Sequence, residues 1–302
     1  GRIPGGLAVA TVVASTVLAA MVGVIGAAVV TMALVALPSM LRRGYSPVLA
    51  VGTVMAGGTL GILIPPSVLA IVYGLVANQS VGELYLGSVF PGLVLSGLYI
   101  LFSVGYALLN PKAAPRLSPE ETPTWSERWR ALRSIWSPLV LIFLVLGTIF
   151  LGLAAPTEAA AIGAFGAMVV AAIHRRLSWT ILRLALEQTA KATAMVMWIV
   201  FGANAFVGFY IAQGGDRYVS ELLLGTGLSP WGILLLMQGI LIVLGMFLDW
   251  VGILLLAVPV FVPIIRDLGF DPLWFGVLYL VNMQISFLSP PFGYALFYVR
   301  GV

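Results

Sequence analysis

Three polar side chains at alternate positions, Asn282, Gln284 and Ser286, interrupt an apolar run that leads into Ser289-Pro290-Pro291. Amide and hydroxyl oxygens of this kind suit a hard cation such as Na+. An earlier apolar run carries Gly57, Gly58, Thr59 and Gly61 ahead of its own Pro65-Pro66. Glycines there let a helix unwind and turn its carbonyls to a ligand. The plainer alternative is a Pro/Gly kink that eases helix packing. One carboxylate, Asp249, closes the stretch Gly245-Met246-Phe247-Leu248-Asp249. At mid-bilayer it would cost about 2.5–3.5 kcal/mol. It is either a proton or cation site or the cap of the helix that follows, since Asp is a preferred N-cap. Glu158, in Pro156-Thr157-Glu158, has the place of a first-turn acid at a helix start. Other chemistries are thinly supplied. The chain has no cysteine, its single histidine is His174 in the basic run His174-Arg175-Arg176, and it lacks a G-x-x-x-x-G-K-[ST] phosphate loop. An intramembrane enzyme would have only Asp249 to work with.

The elements that must position these residues follow from composition. The 302 residues are 61% hydrophobic and 9% charged, with a mean hydropathy of +1.10, where a soluble domain carries roughly a quarter charged residues. Apolar runs of about 20 residues match a bilayer core, and backbone hydrogen bonding in lipid demands helices or a closed barrel. The runs lack the dyad alternation of barrel strands. An all-α polytopic membrane protein is expected. Its net charge of +4 reads as membrane orientation rather than nucleic-acid binding, given where the basic residues fall.

The first apolar stretch, 5–41, is interrupted near Gly23 and reads as one kinked helix or as a re-entrant hairpin. Legs of roughly 15 residues reach about 22 Å, short of a core of about 30 Å, which favours the hairpin. A segment at 48–76 follows, broken between Ala56 and Gly61 and at Pro65-Pro66; a span at 84–109 comes next. Residues 110–134 form a polar cytoplasmic linker with a short amphipathic helix around Trp125 to Leu132. Spans are expected at 135–153, 157–173 and 191–212, with a surface helix between Ser178 and Gln188. After a polar stretch from Gln213 to Ser229 come a second hairpin at 230–265 and a broken helix at 272–299.

The two hairpin-plus-broken-helix units are related. Pro38 and Pro263 lie 225 positions apart, and the same offset pairs Gly44 with Gly269, Pro47 with Pro272, Pro65 with Pro290, Pro66 with Pro291 and Tyr73 with Tyr298. It also pairs Gly57 with Asn282, Thr59 with Gln284 and Gly61 with Ser286. The positive-inside rule, with both hairpins re-entrant, puts all but Arg217 and Arg266 of the 15 basic residues on the cytoplasmic side. The first hairpin then opens inside and the second outside, so the repeats, 1–109 and 135–302, are inverted. Inverted repeats with broken helices imply a secondary transporter. Three spans precede the second hairpin and none the first, so the chain is expected to be a fragment lacking N- and C-terminal spans.

Several motifs in order, LPSMLRRGYSPVLAVGTVMAGGTLGILIPPS, SVGELYLGSVFPGL, APTEAAAIGA, LGMFLDWVGILLLAVPVFVP and GFDPLWFGVLYLVNMQISFLSPPFG, resemble the large permease subunit of TRAP (tripartite ATP-independent periplasmic) transporters. The ending SFLSPPFGYALFYVRG is similar to the branch labelled mannitol/chloroaromatic-type. The resemblance implies an elevator-type permease of the bacterial inner membrane, importing an organic acid with Na+. It implies two partners, a small membrane subunit and a periplasmic substrate-binding protein. Sodium ligation carries over onto Gly23, Gly57, Gly58, Thr59, Gly61, Gly245, Asn282, Ser286 and Ser289, with Pro65, Pro66, Asp249, Gln284, Pro290 and Pro291 as substrate or coupling candidates. Many members carry Gly-Ser-Ser at the first tip, where this chain has Gly23, Val24 and Ile25. An ion there would rely on backbone carbonyls. Proton coupling and a passive channel or scaffold are the alternatives.

Overall fold

The computed structural model describes residues 5–115 and 125–302, and these are helical with no strands among them. Two helices, α1 (Gly6–Val22) and α2 (Ile25–Arg42), are joined by two residues, the first of which, Gly23, has φ 63°. The left-handed turn is cheap only for glycine. The pair embraces α3 (Pro47–Thr59): Leu7 N–H donates to Tyr45 Oη at the open end (3.2 Å), and Met40 and Ala8 share a buried cluster with Leu49. At the closed end Gly61 packs on Ala19, and Gly23 abuts the Pro66 carbonyl. The legs are therefore antiparallel, and the first stretch is a hairpin rather than a kinked helix.

Helix α3 ends in a 3₁₀ turn at Leu60–Ile62, the chain runs irregularly through Pro65-Pro66, and α4 (Val68–Ala77) resumes the direction. Ser67 caps α4 by accepting from Ala70 N–H (3.2 Å) and donates to the Ile62 carbonyl across the gap. The α-helix thus gives way at Leu60, and the break runs through Gly61 and Pro65-Pro66 but not through Gly57 and Gly58. Gly57 and Gly58 are helical. A Cβ on Gly57 would lie 2.6 Å from Ser15 Oγ, and one on Gly58 would overlap Val29. These glycines let both hairpin legs close onto α3, which corrects the expectation that they unwind it.

The second unit repeats the first. Helices α10 (Pro230–Phe247) and α11 (Trp250–Asp267) meet at Leu248-Asp249, and α12 (Pro272–Leu288) and α13 (Tyr294–Arg300) flank a break at 289–293. The offset of 225 carries the first tip onto the second and the first break onto the second. Both Pro-Pro bonds, Pro65-Pro66 and Pro290-Pro291, are cis. Trp231, Phe270 and Trp274 cluster at the open end of the second hairpin, with ring centroids 5.0–6.0 Å apart.

The two open ends face opposite ways. Tyr73, beyond the first break, donates its hydroxyl to the Pro272 carbonyl at the second hairpin's open end (2.8 Å). Val299, beyond the second break, packs on Met32, Ala33, Ala36 and Val54, toward the first hairpin's open end. The units are inverted, with tips and breaks between the two open ends.

Between them, α5 (Val81–Leu109) packs on both α1 and α12, and α6 (Trp125–Phe150) pairs with α7 (Pro156–Ile173). Helix α5 starts ahead of the expected 84 because Ser80 caps it, accepting from Glu83 N–H (3.3 Å). Helix α8 (Trp179–Ala212) packs on α11, and α9 (Gly215–Leu224) fills part of the stretch read as polar loop. Two expected divisions are absent. Helix α6 joins the amphipathic segment to the span at 135–153, and α8 joins the surface helix to the span at 191–212. Nothing in either junction breaks a helix, so a change of polarity occurs without a change of backbone. Of the linker, 116–124 lies outside the described residues, as do Arg2 and Arg116 and the side chains of Arg128, Arg130 and Arg133. Six of the described helices are long and apolar enough to cross a membrane.

Candidate functional site between the hairpin tips

The inverted arrangement brings the two tips to one cavity of about 560 Å³. Gly23 to Gly26 form one wall, Asp249 and Trp250 another, and Phe287, Tyr294 and Tyr298 flank the second break. Helix α8 closes the remaining side with Thr193, Met195 and Met197. Each tip is tied to its own break by a backbone hydrogen bond: Val68 N–H to Gly23 O (3.5 Å), and Phe292 N–H to Met246 O (3.0 Å).

Asp249 takes the capping role, one of the two the sequence left open, and adds a bond across the second break. One carboxylate oxygen accepts from Val251 N–H (3.2 Å) and caps α11, while the other accepts from Tyr294 Oη (2.6 Å). It is the single acid in the cavity wall, and neither Lys nor Arg lines it.

Asn282 and Ser286 sit elsewhere, along the seam between α10 and α12. Asn282 Nδ2 donates to the Gln238 carbonyl (3.0 Å) and to Gln238 Oε1 (2.7 Å). One turn on, Ser286 lies so close to Gly245 that any Cβ there would overlap its side chain. Asn282 Oδ1, Ser286 Oγ and both amide atoms of Gln284 are buried without a hydrogen-bond partner, as is Ser15 Oγ in the first unit. Buried polar atoms are usually satisfied, and each exception asks for a reason. Thr59, fully buried, donates to the Ala56 carbonyl (2.9 Å), and Ser289 donates to the Ile285 carbonyl (2.8 Å). Gln238 Nε2 is orphaned as well, so four of the six such atoms among the described residues are oxygens, and those of Asn282 and Ser286 are donors that suit a hard cation better than a soft one. No group of three His, Cys, Asp or Glu side chains that could hold a metal occurs among the described residues.

Of the positions singled out in sequence, Gly23 and Asp249 line the cavity, and Pro66 abuts Gly23. Gly57, Gly58 and Gly245 serve close packing. Sequence reasoning missed Gln238, Thr193, Trp250, Tyr294 and Tyr298. A glutamine inside an apolar leg and two tyrosines one helical turn apart were the available signals.

The whole chain, residues 1–302, matches the family described as the DctM component of tripartite ATP-independent periplasmic transporters. The chain belongs to this TRAP large-permease family. It is 36% identical over 303 residues to the C4-dicarboxylate TRAP transporter large permease DctM of Pseudomonas aeruginosa, covering all of this chain and 70% of that protein. It is also similar to the sialic acid TRAP transporter large permease SiaM of Vibrio cholerae, at 31% over 309 residues, covering all of the chain and 70% of the relative. The ectoine TRAP transporter large permease TeaC of Halomonas elongata is 30% identical over 298 residues, with 98% of this chain and 69% of the relative covered. Membership makes this TRAP permease a multi-pass protein of the bacterial inner membrane and a transporter component rather than an enzyme.

Proposed function

We propose that the chain forms the transport core of a Na+-coupled secondary transporter that imports an organic acid. In this scheme a periplasmic binding protein delivers the acid, a small membrane subunit completes the permease, and the core moves by an elevator-type displacement. The observation that carries the proposal is the convergence of two tips and two helix breaks, from inverted units, on one mid-depth cavity. Irregular backbone at that depth is tolerated where it lines a site, and inverted units give alternating access a structural basis. Residues 1–109 and 135–302 act as the two repeats. The chain's ending supports placement in the mannitol/chloroaromatic-type branch. The relatives' names range over dicarboxylate, sialic acid and ectoine, so they support transport of small organic solutes without choosing among them.

Sodium is a co-transported substrate in this proposal. The partnerless oxygens of Asn282 and Ser286 support a site along the α10–α12 seam. In the first unit Ser15, Thr59 and the tip carbonyls are the candidates. One charge moved through 100 mV supplies about 2.3 kcal/mol, more than the roughly 1.4 kcal/mol of a tenfold accumulation. A second reading, proton coupling, is favoured only by Asp249, the one carboxylate facing the cavity.

The test is uptake by the full-length permease reconstituted with its small subunit and binding protein. A requirement for both an inward sodium gradient and the binding protein is expected. Asn282→Ala and Ser286→Ala should each raise the half-saturating sodium concentration about tenfold, a loss of about 1.4 kcal/mol. Uptake driven by protons alone would move coupling to Asp249, and uptake indifferent to any gradient would leave a passive channel.

A further inference from the structure

The cavity between the tips is walled in a way that discriminates among acids. Phe287, Tyr294 and Tyr298 form a continuous aromatic wall, with centroids 5.9 Å apart for the first pair and 6.3 Å for the second. Tyr294 has committed its hydroxyl to Asp249, so it offers the cavity its ring. Tyr298 stands against Gly26, where a Cβ would come within 2.8 Å of its ring. The facing tip offers Val24, half exposed, and Ile25, with no hydroxyl. Val24 is the repeat counterpart of Asp249, so the first tip is the apolar version of the second.

We propose that this cavity takes an organic anion with a single carboxylate and an apolar, ring-sized body, in preference to dicarboxylates and polyhydroxylated acids. Flat rings pack on aromatic walls by offset or edge contacts. Several hydroxyl groups desolvated against such walls would outnumber their partners, because Thr193 and Tyr298 carry the lining hydroxyls besides that of Tyr294. A second carboxylate would find no cation and would share the space with Asp249; Lys191, just before the lining stretch of α8, is exposed and outside it. One carboxylate can be met by the first-turn amides of α2, which carry no side-chain cap. The proposal rests on the transport reading only in placing the substrate at this cavity.

The test reads binding, not transport. Val24→Cys is introduced into the full-length permease with its small subunit, any cysteines outside this chain having been replaced. The rate of maleimide labelling is then measured in sodium with 3-phenylpropionate, succinate or gluconate present. The aryl acid should slow labelling about fivefold or more, with succinate and gluconate at the same concentration leaving it unchanged. Tyr298→Ala should abolish that protection while thermal unfolding shows the variant still folded. Thermal stabilisation of the unmodified complex by the aryl acid alone gives the same answer without the cysteine. Equal or greater protection by succinate or gluconate would overturn the substrate class and leave sodium-dependent uptake untouched. Protection by none of the acids, with no stabilisation, would remove the substrate from this cavity whatever uptake shows.

Discussion

At the scale of single residues, Asp249 shows how one side chain can cap a helix and fix a hairpin together. Its bond to Tyr294 joins the second tip to α13 across the break. A hydrogen bond to a charged acceptor is worth about 1.5–3 kcal/mol. Tyr294→Phe should therefore destabilise the permease by about that amount in thermal unfolding and speed labelling of a cysteine placed at Leu248. Asp249→Asn keeps one accepting oxygen, enough for the cap bond from Val251 N–H, and its amide nitrogen can donate to Tyr294 Oη, so it should be the milder change; if it proves the more damaging, the charge itself is required. Residue types told much of this in advance. Asn282 and Ser286 stood out as oxygen donors in an apolar run, and they hold partnerless buried oxygens. Gln238 and Tyr298 did not stand out, because each acquires its role from a helix far away in sequence, α12 for the one and α2 for the other.

At the scale of elements, turn chemistry was legible and glycine chemistry was not. Both tips and the two Pro-Pro breaks follow from the repeated prolines and the short legs, and the inversion from the placement of the basic residues. At the first break Pro65-Pro66 was read correctly, while Gly57-Gly58 was misread because two adjacent glycines look like a place to unwind. A glycine costs a helix only about 1 kcal/mol, which packing against Ser15 and Val29 offsets. Proline is the stronger breaker, since it lacks an N–H and pushes the preceding residue out of the helical region. The seam between α10 and α12 follows the same packing logic and is open to a double-mutant cycle. Gly245→Ala drives a methyl into Ser286 and should destabilise by about 1–3 kcal/mol, the usual cost of overpacking. Ser286→Gly on that background should recover most of the loss, giving a coupling energy of about 1 kcal/mol or more in thermal unfolding. Simple additivity would mean that the second hairpin does not seat on α12 at this point.

At the scale of the whole molecule, inversion makes a statement about sides that a labelling experiment can settle. Lys112 and Asp267 are both exposed. Lys112 lies at the first hairpin's open end, where Ser46 N–H bonds the neighbouring Ala113 carbonyl (2.8 Å) and Ala114 joins the cluster around Met40 and Tyr45. Asp267 ends α11 at the second hairpin's open end, beside the Trp231, Phe270 and Trp274 cluster. The contact from Tyr73 to Pro272 places the second open end on the far side of the first break. With basic residues held inside, Lys112 is expected on the cytoplasmic face and Asp267 on the outer one. Because the chain has no cysteine of its own, Lys112→Cys and Asp267→Cys can each serve as the sole probe in this part of the permease. A membrane-impermeant maleimide applied to intact cells should label Asp267→Cys and spare Lys112→Cys, and inside-out vesicles should reverse the pattern. Labelling of both from one side would mean that the hairpins open to the same face. Alternating access by exchange of equivalent repeat conformations would then lose its geometric basis, even with every contact at the tips intact.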